Sequence, residues 1–530
     1  MTNNTPYPIF HSTNPAKNGY ALAAVGACRI YPHLAAPDLY KDIVQKCLDQ
    51  GAIDSKLSFE AKATRKKYMK QAVAMAYSLL TEHVCLDPSI IDVEVFLPHP
   101  SEVIDSDGTL ASTFLDAGAT RIILCGLALE AMNITMLPRN RLVAHFDKPF
   151  ASAYSVSGEF DVSFQSAKEA LLHATEFAEF ISVNFGEGSD DQYRPDDLSS
   201  SHKEVVARSK SNSTSVNVQD VQDVVQMLTN VQDSVQLVVQ FAPSDTMIPQ
   251  EEQGINTTAN EVDPCDMEKL VIENFTSTIS SIMSSTAASH VRIALVDPTP
   301  EELGMAYAAC VKTDRTDGLY TTVVCNRNNE ALGLVYSSKT SIAASLECGR
   351  GVYYSRSRRG LWRKGDTSGH YQILHRIDVD CDGDALRFTV TQKGEDVKAF
   401  CHLNTLTCWG APYGLRHLEE TLVQRLRDAP EGSYTNRLFD DDELLRNKLV
   451  EEAQELSEAD SKKHVAEELA DLLYFAMVKA VKADVSIDDA VAELDRRAKK
   501  VTRRQGDAKA ERIAKGNDIL NKAKGISSNG

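Results

Sequence analysis

The sequence predicts a multidomain protein in which an N-terminal α/β region precedes a β-rich α+β domain and a C-terminal all-α helical bundle. Three observations carry that prediction. A chain of 530 residues is too long for one hydrophobic core, and its 43% hydrophobic content is enough for several. The spacing of apolar residues changes along the chain, to strand-like runs near residue 315 and to helical spacing after Pro412. Polar, serine-rich stretches interrupt the N-terminal part.

Residues 1–185 read as an α/β region. The short runs VEVFLP (93–98), TRIILCG (120–126) and LVAHF (142–146) are rich in β-branched residues, and they alternate with segments of helical period such as LSFEAKATRKKYMKQAVAMAYSLLTEHV. Residues 186–215 are polar and are expected to be a linker or exposed loop. A second α/β segment, 216–314, carries the strands VQLVVQF (235–241) and VRIALVDP (291–298), interrupted by the polar loop PSDTMIPQEEQGINTTANEVDP. Over 315–411 the runs LYTTVVCN, EALGLVYS, GVYYSRS, YQILHRIDVD and ALRFTVTQ predict a compact β-rich domain. Over 412–510, RNKLVEEAQELSEA, KKHVAEELADLLYFAMVKAVKA and DDAVAELDRRAKKVTRRQ place apolar residues three and four apart, which predicts a helical bundle followed by a tail, 511–530.

A formal net charge of −19 argues against a general partner role with nucleic acid or an acidic membrane, while leaving room for a local basic pocket. Eleven cysteines, an odd count spread over the chain, do not read as a disulfide framework. The N-terminus lacks a basic segment followed by an apolar run, so no secretory signal is expected. No apolar run reaches the roughly 18 to 20 residues of a membrane span. A reducing, cytoplasmic location is expected, with organelle targeting left open by the scarcity of acidic residues at the start.

The stretch DVDCDGDALRFTVTQKGEDVKAFCHLNTLTC (378–408) concentrates carboxylates and thiols that repel unless something neutralises them. On a strand, Asp378, Asp380, Asp382 and Asp384 would share one side, with Cys381 on the other unless Gly383 bends the chain. That favours two cation sites, since aspartate oxygens suit magnesium and thiolates suit zinc. Cys381, Cys401 and Cys408 make three thiols, the count of a zinc site that keeps one position open for water. The plain alternative is three core cysteines beside a solvated acidic turn. Upstream, Arg350, Arg356, Arg358, Arg359, Arg363 and Lys364 are interleaved with Ser355, Ser357 and Trp362, which suits a phosphate-gripping pocket with an aromatic for a base or sugar.

SRSRRGLWRKGDTSGH (355–370), DCDGDAL (380–386) and the CH pair at 401–402 with Cys408 resemble phosphoribosyl-AMP cyclohydrolase of histidine biosynthesis, over roughly residues 318–410. The resemblance implies hydrolysis of the N1–C6 bond of an adenine ring. It implies zinc on Cys381, Cys401 and Cys408 and magnesium on Asp380, Asp382 and Asp384, with His402 as proton carrier and Lys364 also catalytic. Ser355, Arg356, Ser357, Arg358, Trp362, Lys364, Ser368 and Gly369 would meet the substrate. It also implies a homodimer whose zinc site is shared, the first cysteine reaching the metal of the other subunit. The connection KGEDVKAF before Cys401 is longer than usual and should alter a surface loop.

Farther on, Glu451 and Glu455 are four apart, Glu452 and Glu455 three apart, and Glu468 and Asp471 three apart, so each pair stacks on one helix face. Two such faces could converge on magnesium bridging a pyrophosphate, although soluble helices commonly look like this. APEGSYTNRLF (429–439), NKLVEEAQE and EELADLLY resemble phosphoribosyl-ATP pyrophosphohydrolase, an all-α family related to MazG-type pyrophosphatases, across about residues 415–505. That resemblance implies magnesium on Glu452, Glu455, Glu468 and Asp471, with Glu451 a further ligand. Ser433, Tyr434, Thr435 and Lys448 would meet phosphate or ribose.

Together the resemblances imply a bifunctional enzyme acting on phosphoribosyl nucleotides, similar to the front part of the fungal histidine multienzyme, with no histidinol dehydrogenase expected. The rival readings are a broader nucleotide pyrophosphatase with a zinc deaminase-like domain and a non-catalytic nucleotide-sensing scaffold. For the first 300 residues the expectation is a structural or dimerising role, with a degenerate enzyme domain as the alternative.

Overall fold

The computed structural model describes residues 9–11, 24–51, 59–97, 109–125, 137–146, 178, 180–184, 218–230, 236–241, 276–285, 288–296, 298–381, 383–394, 399–410, 414–502 and 510–523. They fall into two compact units, residues 1–404 with 496–502, and residues 405–495 with 503–530. Among the described residues no helix is long and apolar enough to cross a membrane, and all described cysteines are free thiols.

In the first unit, eight parallel strands close into a barrel: β1 (Ile9–His11), β2 (Ala27–Ile30), β3 (Asp92–Leu97), β4 (Arg121–Cys125), β5 (Leu142–Phe146), β6 (Phe180–Asn184), β7 (Gln236–Phe241) and β8 (Val291–Val296). Helices α1 (Pro37–Gly51), α2 (Phe59–Ser78), α3 (Thr109–Ala117), α4 (Val218–Thr229) and α5 (Pro300–Ala309) run between or after them. This corrects the expected division into an α/β region and a separate second segment. Strands β7 and β8 from the second segment complete the sheet begun by β1–β6, through Phe180↔Gln236 and onward to Ile9↔Ala294. A parallel sheet needs both edges paired or covered, and closure achieves that only when all the strands join. The expected linker at 186–215 lies outside the described residues, as does the polar loop after β7.

Alternation decides what fills the barrel. Val93, Val95 and Leu97 of β3 are buried on its outer face, while Glu94 and Phe96 turn inward. Phe96, Ile123, Val143 and Phe180 form an apolar cluster there. Beside it, Glu94 is 0% exposed and Arg29 is 1% exposed. The register places Arg29 and Arg121 directly beside Glu94 on the neighbouring strands. Glu94 Oε2 accepts from Arg29 Nε at 3.1 Å and Nη2 at 3.0 Å, and Oε1 faces Arg121 Nη1 at 3.3 Å and Arg292 Nη1 at 3.4 Å. Arg29 Nη1 also donates to Ser182 Oγ at 3.2 Å. Burial alone would raise the Glu94 pKa, but Arg29, Arg292 and Arg121 hold it below the ordinary carboxylate range.

Helix α5 starts at a capping box in which the Thr299 hydroxyl accepts from Glu302 N and Glu302 accepts from Thr299 N. Beyond it lies a four-stranded sheet of β9 (Tyr320–Cys325), β10 (Ala331–Ser337), β13 (Gln372–Val379) and β14 (Ala385–Gln392), in the order β10-β9-β14-β13. The pair β9–β14 is parallel and the other two are antiparallel. Helix α6 (Lys339–Cys348) and the hairpin of β11 (Val352–Ser355) and β12 (Gly360–Arg363) complete it. This sheet meets the barrel's strand-entry end: Ile377 N donates to Ala24 O at 2.5 Å, Arg376 Nη1 to Ile90 O at 2.6 Å, and Tyr307 OH to Ile377 O at 2.8 Å.

Residues 496–502 dock at the same end. Lys499 Nζ donates to Pro88 O and to Ile91 O, its own carbonyl accepts from Arg141 Nη1 at 2.8 Å, and Asp116 accepts from Val501 N and Thr502 N at 2.9 and 3.1 Å. Burial lowers the Lys499 pKa to about 8; Asp92 opposes this, while Arg376, Arg141 and Arg121 add to it.

The second unit is helical: α7 (Leu415–Asp428), α8 (Tyr434–Asp440), α9 (Asp442–Glu458), α10 (Lys462–Lys482), the first part of α11 (Ile487–Ala498) and α12 (Ala510–Ala523). Its core is Leu422, Leu438, Phe439, Leu445, Phe475, Met477, Val478 and Val481. Helices α9 and α10 run antiparallel, since Lys482 Nζ reaches Asp442 at 2.9 Å while Glu455 and Glu468 meet near the other end. Asp441 caps α9 by accepting from Glu443 N and Leu444 N, and Ser461 caps α10 by accepting from His464 N.

The docking of residues 496–502 should strengthen with pH. Below about pH 8 Lys499 is protonated in both states, and the folded chain bears a buried ammonium; from about 8 up to the ordinary 10.5 the unfolded chain holds more protons, so stability rises. Measured as the difference in melting temperature from Lys499→Met, which does not titrate there, the wild type should gain between pH 8 and 10. A flat difference would contradict this.

Candidate active sites

The hairpin of β11 and β12 is turned by residues 356–359, where Arg358 N donates to Ser355 Oγ at 3.3 Å and Ser355 Oγ lies 3.2 Å from Ser357 Oγ. Arg356, Ser357 and Arg358 are exposed on that turn. Trp362 of β12 is half-buried, tilted against Tyr353 at 6.0 Å between ring centroids. Lys364 is only 6% exposed, its Nζ 5.3 Å from the Phe400 ring and 5.8 Å from the Trp362 ring. The next loop is tight: Gly365 has φ +94°, and a Cβ there would come within 2.5 Å of the Tyr371 backbone. Ser368 and Gly369 are exposed on it, with Gly369 N donating to Gly365 O. Arg350 and Arg363 both pair with Asp366, at 3.4 and 2.8 Å, so the basic run does not act as one patch.

The alternation expected for the four aspartates does not hold, because β13 ends at Val379 and β14 begins at Ala385. Asp380, Cys381, Gly383 and Asp384 lie between the two strands and belong to neither. Asp380 Oδ1 accepts from Gly383 N at 3.0 Å, Asp384 N at 3.0 Å and Ala385 N at 3.1 Å. Gly383, at φ +86°, makes the bend that would otherwise strain an L-residue. Asp384 is exposed, and Asp382 lies outside the described residues. Asp378, still on β13, is buried and neutralised by guanidiniums: Arg376 Nε at 2.5 Å on one oxygen and Arg387 Nη2 at 2.8 Å on the other. Its register partner across the sheet is Arg387.

Cys401 is buried, with Sγ 3.9 Å from His402 Nδ1, while His402 and Cys381 are exposed. Cys408 is exposed and belongs to the second unit.

In the second unit, ligand atoms of Glu452, Glu455 and Glu468 all lie within 4.8 Å of one another. Glu452 is buried, Glu468 half-buried and Glu455 exposed. Helix period brings Glu452 and Glu455 to one face of α9, and antiparallel packing brings Glu468 of α10 opposite. The Glu455 carboxyl is pushed above its ordinary pKa by burial and then by the Glu468 and Glu451 charges. Such mutual repulsion suits a divalent cation bound by oxygens. Lys448 Nζ sits 2.7 Å from Glu451 and 2.8 Å from Glu452, and His464 Nε2 is 3.1 Å from Glu468. Burial would lower the Lys448 pKa, but the two glutamates hold it above the ordinary lysine value. Glu451 and Asp471 stand outside the group of three, and Asp471 is exposed.

Ser433 caps α8 by accepting from Asn436 N at 3.3 Å, and Tyr434 lies edge-on to Phe475 with centroids 6.4 Å apart. Thr435 is buried, its Oγ1 3.1 Å from Tyr474 OH and accepting from Arg425 Nη1 at 3.2 Å. Arg425, Tyr474 and His464 were not singled out in the sequence. Each lies in a helix whose period matches an ordinary amphipathic helix, so no local signal marks them.

A family model described as phosphoribosyl-AMP cyclohydrolase matches residues 333–410, and one described as phosphoribosyl-ATP pyrophosphohydrolase matches residues 415–498. The histidine biosynthesis bifunctional protein his7 of Schizosaccharomyces pombe is 54% identical over 212 residues, 40% of this chain and 50% of that one. The histidine biosynthesis trifunctional protein of Saccharomyces cerevisiae is 56% identical over 200 residues, 38% of this chain and 25% of that one. The histidine biosynthesis bifunctional protein HisIE of Pyrococcus furiosus is 33% identical over 204 residues, 36% of this chain and 96% of that one. The chain thus spans half the length or less of the fungal relatives it matches, and nearly all of the archaeal one.

Titration with manganese, followed by the loss of its free-ion resonance, should detect a divalent site in the helical unit. Glu452→Gln and Glu468→Gln should each weaken it by about tenfold or more, at least the loss typical of disturbing a metal's ligand sphere. Unchanged affinity in both variants would remove the carboxylate group as the site.

Proposed function

The chain belongs to the bifunctional family of histidine biosynthesis that joins a phosphoribosyl-AMP cyclohydrolase to a phosphoribosyl-ATP pyrophosphohydrolase, and from that premise we propose that it carries out both reactions. The helical unit would cleave phosphoribosyl-ATP between its α and β phosphates. The sheet domain would then open the adenine ring of phosphoribosyl-AMP at N1–C6. The observation that carries the reading is the convergence of Glu452, Glu455 and Glu468 from two helices beside Lys448.

For the first step, those glutamates, with Glu451 and Asp471 on the same two helices, would hold magnesium, which supplies charge neutralisation on the pyrophosphate and a better nucleophile in bound water. Burial, and then the Glu468 and Glu451 charges, push the Glu455 pKa up, and a bound cation would offset them. Lys448 can turn from its glutamates to a phosphate oxygen, and Ser433, Tyr434 and Thr435 lie at the start of α8 to meet phosphate or ribose.

For the second step, the proposed zinc ligands are Cys401, Cys408 and Cys381 of the partner subunit, in a homodimer. The donor set of three thiols fits zinc, which supplies a nucleophile of hydroxide strength near neutral pH. Asp380, Asp382 and Asp384 would hold magnesium; Asp380 Oδ1 is engaged by the turn's backbone N–H groups, which orients that carboxylate. Arg356, Arg358, Ser355 and Ser357 form a basic, hydroxyl-bearing turn suited to a phosphate, and Trp362 offers a ring face to the base. Ser368 and Gly369 would also meet the substrate, Lys364 has its Nζ 5.8 Å from the Trp362 ring, and His402 beside Cys401 would carry the proton. Joining both sites in one chain raises the effective concentration of the intermediate. A cytoplasmic location goes with this reading of the substrates.

Incubation of the full chain with phosphoribosyl-ATP should release pyrophosphate and then open the ring, both steps stopping with chelator. Glu468→Gln should lose pyrophosphate release yet still open supplied phosphoribosyl-AMP, and Cys401→Ser should do the reverse with loss of bound zinc. Free nucleoside triphosphates turned over as fast as phosphoribosyl-ATP would overturn the assignment.

A further inference from the structure

Tyr336 of β10 lies between two guanidiniums: the Arg356 carbon is 4.0 Å from its ring centroid and the Arg315 carbon 4.4 Å. Two cations this close to one ring repel each other, and the Asp317 carboxylate paired with Arg315 offsets part of that repulsion. The two arginines differ in their surroundings. Arg315 is clamped by Asp317, through Nε to Oδ1 at 3.0 Å and Nη2 to Oδ2 at 2.6 Å. Arg356 is exposed on the hairpin turn, between the serines whose hydroxyls shape that turn. Tyr336 itself is half-buried on a strand, opposite Thr321 of β9. A ring fixed by the sheet thus lies under a long charged side chain that would otherwise be free to move.

We propose that Tyr336 is a positioning residue for the cyclohydrolase step, holding the Arg356 guanidinium in place for a substrate phosphate, with the Arg315–Asp317 pair against the same ring. The inference rests on the cyclohydrolase reading above. An unrestrained arginine loses rotamer entropy when it grips a phosphate, and a stacked one has lost part of it already. The gain therefore falls on substrate capture rather than on the chemical step.

Tyr336→Leu in the full chain should raise KM for phosphoribosyl-AMP by about three- to tenfold with kcat unchanged, the range expected for one partly exposed cation–π contact. Tyr336→Phe should stay close to wild type. Tyr336→Leu combined with Arg356→Ala should be no worse than Arg356→Ala alone. Far-ultraviolet circular dichroism and the melting temperature of each variant report whether it folds. Arg356→Lys, an exposed change that keeps the charge without the planar stack, should also raise KM and serves if Tyr336→Leu misfolds. Unchanged KM in Tyr336→Leu or Arg356→Lys, or full additivity with Arg356→Ala, would overturn the positioning role. A wild-type chain that does not open the ring would instead overturn the reading on which it rests.

Discussion

Glu94 has no water to solvate it, and its charge must be met by the protein. Arg29, Arg121 and Arg292 meet it from strands β2, β4 and β8, so one carboxylate ties together strands from opposite ends of the barrel's sequence. Removing a partner from such a group strands a buried charge, which is why the register of these short strands tolerates no slip. Closure of the barrel in turn fixes its strand-entry end, whose backbone carbonyls receive Arg376, Lys499 and Arg141. The sheet domain and residues 496–502 are therefore held by the same barrel end.

The same constraint separates acidic residues that the chain neutralises from those it leaves crowded. Asp378 is met by two guanidiniums and is part of the framework. Asp380 Oδ1 is met by three backbone N–H groups where the chain bends between the strands. Glu452, Glu455 and Glu468 are met by Lys448 and His464, and burial together with the neighbouring charges raises the Glu455 pKa. Where compensation by the chain falls short, a cation is the natural completion.

Much of the candidate chemistry was legible because it depends on local spacing. The pair Glu452 and Glu455 needs only helical period to share a face, and SRSRRG between two strand-like runs needs only a tight turn to become an exposed basic tip. The helical bundle was legible for the same reason. What spacing misled was the reading of Asp378, Asp380 and Asp384 as one strand face, since the strand ends at Val379 and Gly383 bends the chain before the next one. Tyr336, Arg425 and Tyr474 carried no local signal at all, because their roles depend on partners in other elements.

By itself the sequence pointed to the family through the resemblance of its motifs, and it determined the helical character of the C-terminal part and which residue types stand ready to bind metal and phosphate. The last two are properties of composition and short-range period. Only the tertiary structure decided that the two N-terminal α/β segments are one closed barrel, that Glu94 lies inside it, that Glu468 crosses to Glu452 and Glu455, and that Asp378 is neutralised by arginine. Each of those depends on contacts between residues far apart in the chain, whose formation is set by strand pairing and helix packing and leaves no mark on the spacing of neighbours.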